Sequence, residues 1–320
     1  MNVPAFAPVA PLSPSSSALL SDALAGLTAP QKSIDPKWLY DSVGSSLFED
    51  ITALPEYYLT RTETGILRDN AAHLAGLVPA GGALVEYGSG ASVKTRVLLD
   101  HGRHMGTYVP IDISADFLQA TATDLRRRYP DLTIAPVVGD FLHPANLPDG
   151  LSATPKVGFF PGSTLGNIPP EAAQLLLSRA RNWDGVEAFI LGIDLVKDED
   201  TLVQAYDDSA GVTAKFIGNI LGRLNTELGA TFDVSAFDYR AIWNADLARI
   251  EMALFSTKQQ SATLGGQMIS FDAGERVSVS MSRKYTEDSL GRLARASGWR
   301  VGNWITDADN LFAVAVLRPD

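Results

Sequence analysis

The stretch VEYGSGASVKT at residues 85–95 decides how the chain folds. An apolar run, Ala83-Leu84-Val85, ends in the acidic Glu86, and two glycines one residue apart follow, Gly88 and Gly90. An apolar strand that passes through a glycine turn into a helix is how an α/β sheet presents a nucleotide-binding loop. In the dinucleotide fingerprint a third glycine lets the helix approach the strand beneath a pyrophosphate. Val93 stands at that position here. The loop therefore suits a ligand without a pyrophosphate, such as S-adenosylmethionine. Taken alone, the same residues are equally an ordinary strand-to-helix turn.

The pattern continues outward. Strands are predicted at 83–87, 107–111, 133–137, 156–160 and 187–193, with helices at 93–101, 115–128 and 170–182 between them. That alternation implies a parallel sheet covered by helices, joined by right-handed crossovers. Upstream, short helical stretches are predicted at 17–28 and within an aromatic block, and a helix at 61–78. Downstream, 199–228 reads as one long amphipathic helix. Strands follow at 237–243, 248–257, 267–272 and 276–285, with Gly265-Gly266 as a hairpin turn. A last helix at 286–297 and strands at 299–305 and 310–317 return to the first sheet. The expected organisation is an α/β domain of residues 61–197 and 286–320 interrupted by an α+β unit, 198–285. Residues 1–60 pack with that inserted unit, and about the first 16 form a mobile Pro/Ala/Ser arm.

Composition narrows the function classes. The 320 residues carry a net charge of −11, with a pI near 4.8, which argues against a nucleic-acid or anionic-membrane surface. There is no cysteine, so disulfides, Fe–S clusters and thiolate metal sites are excluded, in keeping with a cytoplasmic protein. No apolar run approaches the roughly 18 residues a membrane helix needs, and the N-terminus lacks the early positive charge of a secretory signal. The four histidines, His73, His101, His104 and His143, have no metal-ligand spacing, and Asp207-Asp208 reads as a solvated helix face; no metal is expected.

Two carboxylates strengthen the nucleotide reading. Asp112 ends the second predicted strand, where it is able to accept from ribose hydroxyls. Asp140 ends the third, next to Phe141, a pair suited to the amino group and face of adenine. Each aspartate is also a candidate helix N-cap. Two of them at successive strand ends after a two-glycine turn favour an adenosine ligand at the sheet's carboxyl edge. Lys94, in the first turn of the following helix, suits the methionine carboxylate or is a solvated surface lysine.

The blocks PKWLYDSVGSSLFEDITALPEYYLTRTE, LVEYGSGASVKTRVLL, VPIDIS, GDF, FFPGSTLGNIPP, LGIDLVKD, AYDDSAGVTAKF and RIEM together resemble the bacterial histidine Nα-methyltransferases of ergothioneine biosynthesis over nearly the whole chain. The resemblance implies a class I S-adenosylmethionine methyltransferase with a Rossmann-like sheet and an inserted α+β substrate-binding domain, acting as a monomer on a free amino acid. The family adds three methyl groups to an α-amine, which on histidine yields hercynine. By the same resemblance Tyr57 lies where cofactor and amine meet, and Gly162 offers its carbonyl to the amine. Asn167 and Tyr206 hold the α-carboxylate, and Tyr40 and Phe48 wall the amine pocket. Gly88, Lys94, Asp112, Asp140 and Phe141, with Tyr57, hold the cofactor. Without it, Tyr57 and Phe48 read as ordinary core, Asn167 as a helix cap, and Tyr206 as part of a buried helical stripe.

One departure stands out. In RVSVSMSRKY, alternation puts Val277, Val279 and Met281 on an inward apolar face and Ser278, Ser280 and Ser282 on the other. The family places a glutamate and a serine two positions apart on this strand against the imidazole. Ser282 matches the serine, but Ser280 occupies the glutamate's position, with Met252 as an apolar wall opposite. A charge-assisted hydrogen bond contributes about 1.5–3 kcal/mol against about 1 for a neutral one. Its loss weakens histidine binding by about tenfold or more and leaves room for tryptophan, tyrosine or phenylalanine. Two other classes compete: a nicotinamide oxidoreductase, which the absent third glycine opposes, and a catalytically silent methyltransferase fold acting as a partner subunit, which the retained Tyr57, Asn167 and Tyr206 oppose.

Overall fold

The structure is a computed structural model that describes residues 14–320 apart from 91, 144–146 and 149. The expected N-terminal arm falls largely outside the described residues. In chain order the elements are α1 (Pro14–Leu27), α2 (Ser42–Ala53), α3 (Tyr58–Asp69), α4 (Ala71–Ala75), β1 (Ala83–Tyr87), α5 (Val93–Leu99), β2 (Thr107–Asp112) and α6 (Ala115–Arg128). Next come β3 (Thr133–Ile134), β4 (Val137–Val138), β5 (Lys156–Phe160), α7 (Pro170–Arg181), β6 (Val186–Asp194), α8 (Glu199–Gln204) and α9 (Val212–Leu228). The last are β7 (Phe237–Asn244), β8 (Arg249–Ser256), β9 (Gln260–Leu264), β10 (Gln267–Phe271), β11 (Arg276–Arg283), α10 (Glu287–Ala296), β12 (Trp299–Thr306) and β13 (Phe312–Pro319).

Two compact units result. The larger comprises Tyr57–Leu202, Trp243–Ile250 and Met281–Asp320. Its sheet has the order β12-β13-β6-β5-β1-β2-β3, with β4 also on β2. Strands β1, β2, β5 and β6 run parallel, while β13 is antiparallel to both β6 and β12. Every residue of β1 and β5 is buried, as expected for strands covered on both faces. The chain leaves β1 for β2 on one side and later places β5 on the other. The carboxyl end of β1 is therefore the switch point where such sheets bind ligands. Beneath it lie Val85, Val109, Phe160, Phe189, Leu191 and Trp299, all buried.

The smaller unit comprises the chain up to Glu56, Val203–Ile242 and Glu251–Ser280. Helix α9 packs against α1 and α2. A β9–β10 hairpin turns at Gly265-Gly266, both with positive φ (56° and 79°). Strands β11, β8 and β7 lie side by side in a second sheet.

Some sequence expectations needed correction. The predicted helix 199–228 is two helices, because Asp208 folds back to accept from the N–H groups of Val212 and Thr213 (2.8 and 2.7 Å) and starts α9 afresh. Asp208 is a cap rather than a solvated face. The predicted strand 133–137 splits into β3 and β4 around Pro136, which has no N–H to give a ladder. The predicted helix 61–78 breaks at Asn70 into α3 and α4, and β9 was missed altogether.

Trp299 is fully buried at the start of β12, with its ring edge-on to Phe189 at 6.0 Å and its Nε1 donating to the Leu177 carbonyl at 2.9 Å. Trp299→Ala is expected to cost the larger unit about 3–5 kcal/mol, the usual range for emptying a core tryptophan site. Urea unfolding followed by circular dichroism measures it.

Candidate functional site

At the end of β1 the backbone turns sharply, with Gly88 and Gly90 at φ 64° and 48°. The N–H groups of Gly88 and Ser89 share the Ile111 carbonyl (2.9 and 3.2 Å), which pins the turn to β2. Asp112 accepts from Gly90 N–H at 2.9 Å through one carboxylate oxygen and from Ser114 N–H at 3.0 Å through the other. It thus braces the glycine turn and does not cap α6, whose N-cap, Ser114, makes no side-chain cap bond. Phe141 stands beside the turn: its Cε1 is 3.8 Å from where a Cβ on Gly88 would project. Asp140 accepts from Leu142 N–H at 2.8 Å and lies 3.1 Å from His143 Nδ1, so one histidine without ligand spacing still touches an expected site residue.

Glu86 closes β1 and is almost wholly buried. It accepts from Thr95 Oγ1 at 2.6 Å and from the Tyr108 hydroxyl, which lies 3.1 Å from Ser92 Oγ. The carboxyl therefore ties β1, β2 and α5 together and is a part of the scaffold. Burial pushes its pKa up to about 8, against the opposing pull of the Thr95 and Tyr108 hydroxyls.

A second cluster lies at the ends of β5 and β6. Gly162, at φ 80°, donates its N–H to both carboxylate oxygens of Glu63 at 2.9 Å. Glu63 is fully buried in α3 and also pairs with Lys94. Lys94 is thus neither a lone surface lysine nor an uncompensated charge. Asn167 ends the short 3-10 helix Thr164–Asn167; the N-cap of α7 is Pro169, without a side-chain bond, so Asn167 does not cap that helix. Tyr57 is buried at the N-cap position of α3.

Next along α3, Tyr58 donates its hydroxyl to the buried Asp194 at 2.7 Å and accepts from Lys197 at 2.6 Å. Asp194 also pairs with Lys197 and with the fully buried Lys284, each at 2.6 Å. Burial lowers the pKa of both lysines, against the pull of Asp194. Lys284 then donates to Ser282 Oγ at 2.8 Å. This corrects the expected faces of β11. Val277, Val279 and Ser282 are buried while Ser278, Ser280 and Met281 are partly exposed. Met281 is less buried than expected, and Ser282 is buried on its own face of the strand, beside the ammonium of Lys284 two residues on.

The remaining expected residues lie in the smaller unit. The rings of Tyr40, Phe48 and Phe216 form a trio with centroids 5.5–5.8 Å apart. Phe216, on α9, was missed in the sequence reading. Tyr206 is buried just beyond α8, rather than on a helical stripe, and its carbonyl accepts from the Tyr239 hydroxyl at 2.5 Å. Met252 is buried on β8. Ser280 belongs to this unit and Ser282 to the other. No metal-holding group of acidic and histidine residues occurs among the described residues, and no helix there is long and apolar enough to cross a membrane.

The turn fits S-adenosylmethionine. Ser89 Oγ is buried at the bend without a hydrogen-bond partner among the described residues, Asp112 and Asp140 stand at successive strand ends, and Ile113, beside Asp112, is 60% exposed despite its apolar side chain. These residues and the switch-point sheet define an S-adenosylmethionine-dependent methyltransferase of the Rossmann-like class. The model of the SAM-dependent histidine-specific methyltransferases matches residues 19–319, and the chain belongs to that family. It is 43% identical over 306 residues to a histidine N-alpha-methyltransferase of Mycobacterium tuberculosis, covering 93% of this chain and 94% of the relative. It is 41% identical over 311 residues to that of Mycolicibacterium smegmatis, covering 93% and 94%. A fungal relative, ergothioneine biosynthesis protein 1 of Neurospora crassa, is 28% identical over 284 residues, 83% of this chain and 31% of that protein.

The raised pKa of Glu86 carries a sign. Folding favours its protonated form, so that contribution to stability is complete below the ordinary value of 4.5 and is lost as the pH rises through about 8. Glu86→Gln keeps an acceptor for both hydroxyls and removes the titration. Thermal melts from about pH 5 to about pH 9 are expected to show wild type losing stability relative to the variant as the pH rises.

Proposed function

We propose that the protein transfers methyl groups, up to three, from S-adenosylmethionine to the α-amine of a free amino acid, giving a betaine. On histidine the product is hercynine. The observation that carries this reading is the pair of adjoining turns in the larger unit: the glycine turn with its strand-end carboxylates, and the Gly162 turn, linked to it through Glu63 and Lys94. The names of the two bacterial relatives support histidine. Ser280, in place of the expected glutamate, favours a second substrate reading, an aromatic amino acid such as tryptophan, tyrosine or phenylalanine.

Bound S-adenosylmethionine supplies an electrophilic methyl on a sulfonium whose leaving group needs no proton. The residues then have one task, to present a neutral amine, and an α-amine is mostly protonated near pH 7. In this reading the Gly162 carbonyl and Tyr57 hold the amine's N–H groups, its proton passes to water, and the freed lone pair faces the methyl. A carbonyl is an acceptor only, so it orients an N–H and leaves the amine's lone pair free for the methyl. Asn167 and Tyr206 grip the α-carboxylate. Most of the acceleration comes from this positioning. After two methylations the neutral amine has no N–H left, and the Tyr40, Phe48 and Phe216 rings offer faces to the growing cation.

Incubation with labelled cofactor and each of the twenty amino acids, followed by product masses, tests the reading; a mass gain on no amino acid overturns it. Ser280→Glu is expected to raise kcat/KM for histidine about tenfold or more relative to the larger aromatics, the difference between charged and neutral hydrogen bonds. Asn167→Ala is expected to raise the amino-acid KM; unchanged KM and rate remove its carboxylate role.

A further inference from the structure

We infer that Glu63 is a positioning residue that sets the Gly162 carbonyl and the cofactor-side Lys94 with one buried carboxylate; this deepens the proposed function and rests on the role given there to Gly162. Glu63 is fully buried in the middle of α3, at a place on the helix shared with Leu59, Ile66 and Leu67, which are buried too. A carboxylate so far from water is retained only where donors surround it. Its donors are the Gly162 N–H, at 2.9 Å from both oxygens, and Lys94.

The geometry transmits to the carbonyl. The peptide between Pro161 and Gly162 is held at both ends: its oxygen accepts from Thr164 Oγ1 at 2.9 Å and its N–H enters the Glu63 fork. Beyond it, Ser163 lies in the left-handed region (φ 57°) and its carbonyl accepts from Gly166 N–H at 2.9 Å. Two torsions at Gly162 and two at Ser163 lie between these fixed groups, and with both ends held the clamp restricts the direction of the Gly162 carbonyl. Strand β6 makes room for the carboxylate. A Cβ on Gly192 would stand 1.8 Å from Glu63 Oε1 and 3.1 Å from Gly162 N.

An ion pair serving Lys94 alone does not account for this arrangement. The Lys94 side chain is 20% exposed and in reach of water, whereas Glu63 has none. The element with no substitute for Glu63 is the Gly162 N–H. Paired in this way, Lys94 keeps N–H groups for an acidic ligand without adding net positive charge where a sulfonium cation binds.

Two double variants separate the roles. Glu63→Gln with Lys94→Met and Glu63→Leu with Lys94→Met both abolish the ion pair, but only glutamine still accepts from Gly162. Turnover at saturating S-adenosylmethionine is expected to be at least about tenfold lower in the leucine variant than in the glutamine variant, as for removal of one orienting hydrogen bond. Calorimetric affinity for S-adenosylhomocysteine should be the same in the two. Hydrogen exchange of the peptide containing Gly162 should quicken in the leucine variant only. Equal turnover and equal exchange overturn the inference. Should the leucine variant not fold, Gly192→Ala displaces the carboxylate from the other side. The same loss of turnover and faster exchange are then expected, and wild-type values overturn the inference. Exchange needs no substrate, so its failure removes the Glu63 clamp alone, whereas a wild type that methylates no amino acid removes the reading of Gly162 beneath it.

Discussion

A carboxylate withdrawn from water must be surrounded by donors or it expels its charge, and that constraint organises the carboxyl edge of the larger unit's sheet. Glu86 at the end of β1, Asp194 at the end of β6 and Glu63 on α3 are each almost wholly buried. Each satisfies itself with groups from other elements: Thr95 and Tyr108 for Glu86, Tyr58, Lys197 and Lys284 for Asp194, and Gly162 with Lys94 for Glu63. The three cases differ in outcome. Glu86 has hydroxyl donors and its pKa is raised by burial; Asp194 and Glu63 lie against lysine ammonium groups. Electrostatics thus holds the glycine turn and the Gly162 turn in register.

Much of the sheet was legible in the sequence because its strands are short apolar runs bounded by glycine and proline. The pattern failed where a local polar or covalent feature overrode it. Pro136 withheld an N–H, and Asp208 restarted a helix. The glycine turn and its two aspartates were legible from spacing alone, whereas the roles assigned to Tyr57, Gly162, Asn167 and Tyr206 came from family resemblance. Glu63 carried a signal that went unused: an acid sharing the stripe of Leu59, Ile66 and Leu67 on a helix announces a buried charge with a partner. Phe216 offered no such signal, since an aromatic on the apolar face of α9 looks like core until its neighbours are known.

Family membership rests on almost the whole chain. The match spans residues 19–319, which include the glycine turn, Asp112, Asp140 and Lys94. Ser280 lies on a strand that contributes to both units, two residues from a serine engaged by Lys284.

The order of the sheet has a consequence for biosynthesis. Strand β13, the final one in the chain, lies between β12 and β6 and pairs with both. Until residues 312–319 emerge from the ribosome, β6 presents an open row of N–H and C=O groups along a nearly continuous apolar segment. Such an unpaired margin is a template for association with other nascent chains. The larger unit's sheet therefore stays open beside β6 until β13 has been made, and chains that lack residues 312–319 are the species that chaperones must shield.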